Sequence, residues 1–181
     1  MLISIPAYIT GDTHFFHRNM MKHCLRPADF DEQLVRNWNE VVTDPRSSIL
    51  HVGDLVHWHD ESWRQFERIA PKLNGVKYLI LGNHDKTKVS LYEDLGFTVI
   101  KPYTILYGKQ DHIIHFDHYP KNPLPEGEWS IHGHTHGNNF PGQTPRHLDV
   151  GVDCWWGRPV PTAYVIDQLI QRVDYYGKGG Q

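Results

Sequence analysis

An α/β chain whose second half turns β-rich, giving stacked sheets covered by helices, is the fold this sequence predicts, and three observations predict it. Short apolar runs stop at a glycine followed by Asp or Asn: Ala7-Tyr8-Ile9 before Gly11-Asp12, Ile49 to Val52 before Gly53-Asp54, and Val76 to Leu81 before Gly82-Asn83. Between these runs apolar residues recur at helical spacing. After Gly96 the helical spacing gives way to closely spaced strand patterns.

In chain order, the first run is a buried strand ending in a loop. Asp31 to Val42 then places Leu34, Trp38 and Val41 on one helical face. The second strand follows, and Glu61 to Ala70, stopped by Pro71, sets Trp63, Phe66 and Ala70 on one side of a second helix. The third run closes this strand–helix alternation. Phe97 to Ile100, Tyr103 to Tyr107 and Ile113 to Phe116 are strands, with Gly108-Lys109-Gln110 as a hairpin turn. Further short strands cover Trp129 to His132 and Leu148 to Val152. Ile166, Leu169, Ile170 and Val173 fall at i, i+3, i+4 and i+7, a closing helix after Pro161-Thr162. Residues 174–181, rich in Gly and Lys, read as a flexible tail on a single domain spanning 1–181.

Composition narrows the function. The 181 residues are 39% apolar and 22% charged, as in a globular domain with a real core. Lys+Arg 18 against Asp+Glu 21 leaves a net charge of −3, which disfavours a protein that coats nucleic acid or an anionic membrane by surface charge. The first residues, MLISIPAYITGD, show neither a basic leader nor an apolar stretch near the roughly 18 residues of a membrane span, so a cytoplasmic location is expected. Cys24 and Cys154 form no C-x-x-C pair. Fourteen histidines stand out, because imidazole is the commonest metal ligand.

Those histidines cluster with carboxylates at the strand ends, in Gly11-Asp12-Thr13-His14, Gly82-Asn83-His84-Asp85 and Gly133-His134-Thr135-His136, with Gly53-Asp54 between. Strand ends are where α/β sheets build sites. Strand alternation would set Asp12 and His14, and likewise His134 and His136, on one face, able to chelate an ion. One Gly-Asp alone is a turn. Turns do not call for histidine, however, and cores rarely bury several imidazoles beside carboxylates, so a metal site accounts for the ensemble.

Taken together, D-x-H, G-D, G-N-H-D and G-H-x-H from Asp12 to His136 resemble the calcineurin-like metallophosphoesterase superfamily. The longer strings Gly11 to Asn19 and Leu148 to Asp153 look like a small bacterial and phage-type branch without a cap domain. The resemblance implies a four-layer α/β/β/α sandwich of two stacked mixed sheets. It also implies one metal held by Asp12, His14 and His136 and a second held by Asn83, His118 and His134, with Asp54 bridging them. Of His112, His115 and His118, the last is favoured because His118-Tyr119-Pro120 is similar to the family's His-x-Pro form. The resemblance implies a metal-bridging hydroxide as nucleophile and His84 as the group assisting the leaving oxygen. Many members carry an aspartate three residues after the bridging carboxylate; here that residue is His57, as in nuclease-type members, which implies a substrate contact.

Two divalent ions suit these donors: carboxylate, imidazole and amide oxygen favour Mn²⁺ first, with Fe, Ni²⁺ or Zn²⁺ compatible, over Ca²⁺. His17 and Asn19 follow the first ligand pair closely enough to meet a phosphate, His17 as a cation or proton donor, with Arg18 between them. Phe15, Phe16, Trp58, Tyr119, Phe140, Trp155 and Trp156 could stack on a base where exposed. The expected function is hydrolysis of a phosphodiester, and secondarily a phosphomonoester, in a small nucleotide-like substrate. A nuclease on RNA or DNA ends is the alternative, favoured by His57 and disfavoured by the lack of a basic stripe. A non-catalytic scaffold of the same fold is a third, disfavoured because the motif residues stand intact.

Overall fold

In the computed structural model, which describes residues 5–109 and 111–177 with side chains through 172, the chain builds two sheets. Strands β1 (Tyr8–Thr10), β2 (Ser48–His51), β3 (Val76–Ile80) and β4 (Phe97–Ile100) are parallel neighbours, and β9 (Val160–Pro161) pairs antiparallel with β1, giving the order β4-β3-β2-β1-β9. The second sheet runs β5 (Tyr103–Tyr107), β6 (His112–Phe116), β7 (Glu128–His132) and β8 (His147–Asp149), antiparallel between β5 and β6 and parallel thereafter. The expected pair of mixed sheets is thus present.

Period-two alternation sorts the side chains into two cores. Ile49 and Leu79 point to the outer face of the first sheet, where helices α2 (Phe30–Val41), α3 (Asp60–Ile69) and α4 (Val89–Asp94) bury Leu34, Trp38, Phe66 and Tyr92. Leu50 and Ile80 point the other way, against Ile114, Phe116 and Ile131 of the second sheet. Helix α5 (Thr162–Gly177) adds Val165, Ile166 and Leu169 to this inter-sheet core. Fully burying a side chain of this size is worth about 1.5–3 kcal/mol.

Differences from the sequence reading are local. Helix α1 (Met20–His23), α4 and β9 were not expected: one to two helical turns, or two strand residues, show no period. The last strand stops at Asp149 rather than Val152, because Gly151 forms a lone bridge to Gly11 and Val152–Cys154 turns into 3₁₀ helix. Residues 174–177, expected in the tail, continue α5; 178–181 lie outside the described residues, as does Gln110 of the hairpin turn. No helix among the described residues is long and apolar enough to cross a membrane.

Candidate metal centre

Three of the loops that leave the sheets toward the site, those after β1, β2 and β7, do so through left-handed residues. Asp12 (φ 52°), His14 (46°), Asp54 (56°), His134 (70°) and His136 (49°) all lie where L-residues are uncommon. This corrects the strand-alternation argument. The pairs Asp12/His14 and His134/His136 converge because β1 and β7 have already ended, at Thr10 and His132, and the backbone coils. Such conformations cost of order 1–3 kcal/mol each and persist only where the surroundings enforce them. Here the enforcement is visible: Asp12 N donates to Gly53 O at 2.9 Å, His14 N to Asp54 O at 2.9 Å, and His134 N to both oxygens of Asp12 at 3.0 and 2.9 Å.

The coiled ends gather the expected ligands. Donor atoms of Asp12, His14 and His136 lie within 4.8 Å of one another, as do those of Asp54, His118 and His134, and those of His14, Asp54 and His84. Asp54 stands at the centre: its Oδ2 is 3.4 Å from His14 Nε2 and 3.5 Å from His118 Nε2, while Oδ1 accepts the His84 amide at 2.8 Å. Of the three candidate histidines, only His118 reaches the cluster, and His112 and His115 lie on β6 against Trp129 and Glu128.

Three observations fit this pocket to cations. His118 Nδ1 donates to Val52 O at 2.9 Å, so its Nε2 bears a lone pair, yet that nitrogen faces the Asn83 Oδ1 acceptor at 3.0 Å. Both ring nitrogens of His14 and Nδ1 of His84 are buried without a hydrogen-bond partner. Burial, reinforced by the Asp149 carboxylate, pushes Asp12 well above the carboxylate range, and burial plus His136 pushes His14 well below the histidine range. A divalent ion reverses this cost, because it favours ionised carboxylate and neutral imidazole together.

Residues that the sequence reading missed hold the ligands in place. Arg26, 6% exposed, donates to both oxygens of Asp153 (2.8 and 2.7 Å) and to the carbonyls of Asp12 and Thr13 (2.7 Å each). Asp153 in turn accepts from His136 Nδ1 at 2.7 Å, leaving Nε2 for a metal. Against the upward push of burial, hydrogen bonds from His136 and Arg26 keep Asp153 down at about 2. Asp85 accepts the amides of Gly82, Asp54 and Leu55 at 2.8, 2.7 and 3.0 Å and so ties two motif loops together. Asp149 accepts from Thr135 Oγ1 and from the amides of Gly137 and Gly151. At Gly82 an added Cβ would sit 2.2 Å from Asp54 Oδ1, so the site's own carboxylate demands glycine there. Asp85 and Asp153 lie within motif strings; Arg26 carries no local signal.

Beside the centre, imidazoles form a row: His14 to His84 is 4.9 Å between ring centroids, His84 to His17 5.7 Å, His17 to His57 4.0 Å and His57 to His59 4.6 Å. His57 Nδ1 is 3.3 Å from Ser62 Oγ, which donates to Phe16 O. Burial and then His57 push His17 down to about 4. Asn19 is exposed before α1 and lines a cleft with His17, His57 and His59, apart from the ligand cluster. Of the aromatics, Phe15 is fully buried, whereas Trp58 (45%), Tyr119 (47%) and Trp156 (84%) are exposed. Tyr119 has its ring 4.6 Å from that of His134, at the edge of the centre.

With the geometry established, comparison with known proteins defines the class. The family model described as calcineurin-like phosphoesterase matches residues 5–172, and the chain belongs to that family. It is 30% identical over 176 residues to an uncharacterized protein of Methanocaldococcus jannaschii, covering 91% of each. Its fold resembles the crystal structure of a protein of unknown function from Aquifex aeolicus, with TM-score 0.68 and 24% identity over 88% of this chain and 97% of that one. A Pseudomonas putida nuclease also aligns, at TM-score 0.44 and 15% identity over 71% of this chain and 60% of that one.

Proposed function

We propose that this protein is a binuclear metal-dependent phosphoesterase acting on phosphodiesters of small nucleotide-like substrates. The observation that carries this reading is the shared carboxylate oxygen: Asp54 Oδ2 stands between His14 Nε2 and His118 Nε2, at 3.4 and 3.5 Å. One ion would be held by Asp12, His14 and His136 and the other by Asn83, His118 and His134, with Asp54 common to both; Mn²⁺ is the first candidate. Bound there, divalent ions would supply Lewis acidity, lowering the pKa of water and neutralising phosphoryl oxygens. The chain's own residues do the rest. Asp153 orients His136, Val52 O orients His118, and His84, anchored through its amide to Asp54, faces the centre with a ring able to hand a proton to the departing oxygen. His17 and His57, with Asn19 in the same cleft, position the ester.

The test is hydrolysis of bis-p-nitrophenyl phosphate beside p-nitrophenyl phosphate by metal-stripped protein resupplied with Mn²⁺, Ni²⁺ or Zn²⁺. Metal-dependent turnover favouring the diester, lost in Asp54→Asn and lowered about 10²–10⁴-fold in His84→Ala, is the expected result. Metal binding with no turnover of either ester would instead make the protein a scaffold. Turnover of nucleic acid ends with a steep salt dependence would make it a nuclease.

A further inference from the structure

The segment between β1 and α2 forms, together with α2 and α3, a cavity of about 370 Å³ lined by His14 and His17 among others. Its size falls within the roughly 300–1,000 Å³ of small-molecule sites. The lining mixes apolar side chains, Phe16, Met20, Pro27 and Phe30, with polar ones, Asp31 among them. A second cavity of about 350 Å³ shares Phe16, His17 and Arg18 with the first and opens toward His57 and His59. The two cavities adjoin through shared lining residues, and the first also touches His14 of the ligand cluster, so together they offer room for the two organic arms of a diester.

We propose that the first lobe is a nucleobase pocket selective for an edge with two adjacent N–H donors, as guanine presents, with Asp31 as the acceptor. This rests on the phosphodiesterase reading above and names its substrate class. The lining carries both kinds of group: His14, His17 and Arg18 come from the segment after β1, which could meet a phosphate, and Asp31 and Glu32 come from α2. Arg26 also lines it, but its guanidinium donates its hydrogen bonds to Asp153 and two carbonyls rather than to Asp31. The same guanidinium lies 4.7 Å from the Phe30 ring centroid and fixes that wall. Asp31 is itself held, because its Oδ1 accepts the Phe16 amide at 2.9 Å. A carboxylate has about four lone-pair positions, so this bond leaves acceptor capacity for N1–H and N2–H of guanine, whereas hypoxanthine lacks the 2-amino group and thymine presents a single N–H. Sites built to bond such a group discriminate strongly against the analogue without it.

The experiment compares guanosine 5′-monophosphate with inosine 5′-monophosphate, ligands that differ by that one amino group, by calorimetric titration of the Mn²⁺-loaded protein. Guanosine monophosphate should bind about tenfold or more tighter, which is roughly 1.4 kcal/mol or more. Asp31→Asn keeps an oxygen for the Phe16 amide and should reduce the ratio to about threefold or less. Equal affinity in the wild type, or an undiminished ratio in a folded Asp31→Asn, overturns the pocket assignment. The wild-type comparison decides the matter alone if the variant fails to fold. Turnover of bis-p-nitrophenyl phosphate without guanine selectivity overturns the pocket and leaves the enzyme reading standing; guanine-selective binding without turnover does the reverse.

Discussion

Removing the Arg26 side chain should damage the fold and the metal centre together, and the structure gives the scale. Arg26→Ala deletes four hydrogen bonds of 2.7–2.8 Å, leaves the Asp153 carboxylate with His136 as its remaining partner among these contacts, and frees the carbonyls of Asp12 and Thr13 in a buried turn. Breaking one side of a buried charge pair costs about 3–5 kcal/mol. Against a total stability of roughly 5–15 kcal/mol this is a large fraction, and at about 2–4 °C per kcal/mol for a chain of this size it lowers Tm by about 6–20 °C. The left-handed Asp12 turn also loses its clamp and His136 its orientation, so Mn²⁺ affinity should fall about 10–100-fold. Urea unfolding in EDTA measures the first effect and calorimetric Mn²⁺ titration the second. Arg26→Lys, which keeps the charge without the fork, should fall between wild type and Arg26→Ala. A loss below about 1 kcal/mol with unchanged Mn²⁺ affinity would refute the reasoning, since the carbonyls and carboxylate would then be satisfied some other way.

Burial pushes Asp85 up to about 7. The folded protein then holds this proton over a range where the unfolded chain, with a carboxyl near 3.9, has released it, so metal-free stability falls as pH rises from about 4 to about 7. Asp85→Asn should flatten that slope in urea unfolding, and parallel wild-type and variant profiles would contradict it. Gly82→Ala should lower turnover of bis-p-nitrophenyl phosphate about 100-fold or more, because the new methyl lands 2.2 Å from Asp54 Oδ1 and must displace it. Burial, with Asp149 next, pushes the Cys154 thiol from 9.0 up to about 12, and burial pushes Cys24 up to about 11. At pH 8.5 Cys154 should therefore react with iodoacetamide about a thousandfold more slowly in folded than in urea-unfolded protein, and comparable rates would show an open thiol.

The elements legible in the sequence were those whose side chains alternate or recur against a core. Leu50 and Ile80 facing one way and Ile49 and Leu79 the other are the alternation that the apolar runs encode. Donor types were legible too, because aspartate, asparagine and histidine after strand-end glycines have no common cause in folding. How they converge was not. The left-handed turns at Asp12, His14, His134 and His136 depend on hydrogen bonds to residues far along the chain. Arg26 meets Asp153 across 127 positions, and no local pattern marks such a pair. The packing of His17 against His57 was not legible for the same reason: His57 arrives from the loop after β2.

Both ligand clusters draw on both sheets: Asp12 and His14 leave β1 while His136 follows β7, and Asp54 leaves β2 while His118 and His134 follow β6 and β7. During synthesis, a ribosome that has released the chain only through β4 has produced neither cluster in full. Only the His14, Asp54 and His84 group is complete by then, so the two groups that draw on both sheets can take an ion only after the second sheet has been made. An ion held by either of these groups would be a rivet across the seam, and a chelator would then act on the joint between the two halves before it disturbed either half.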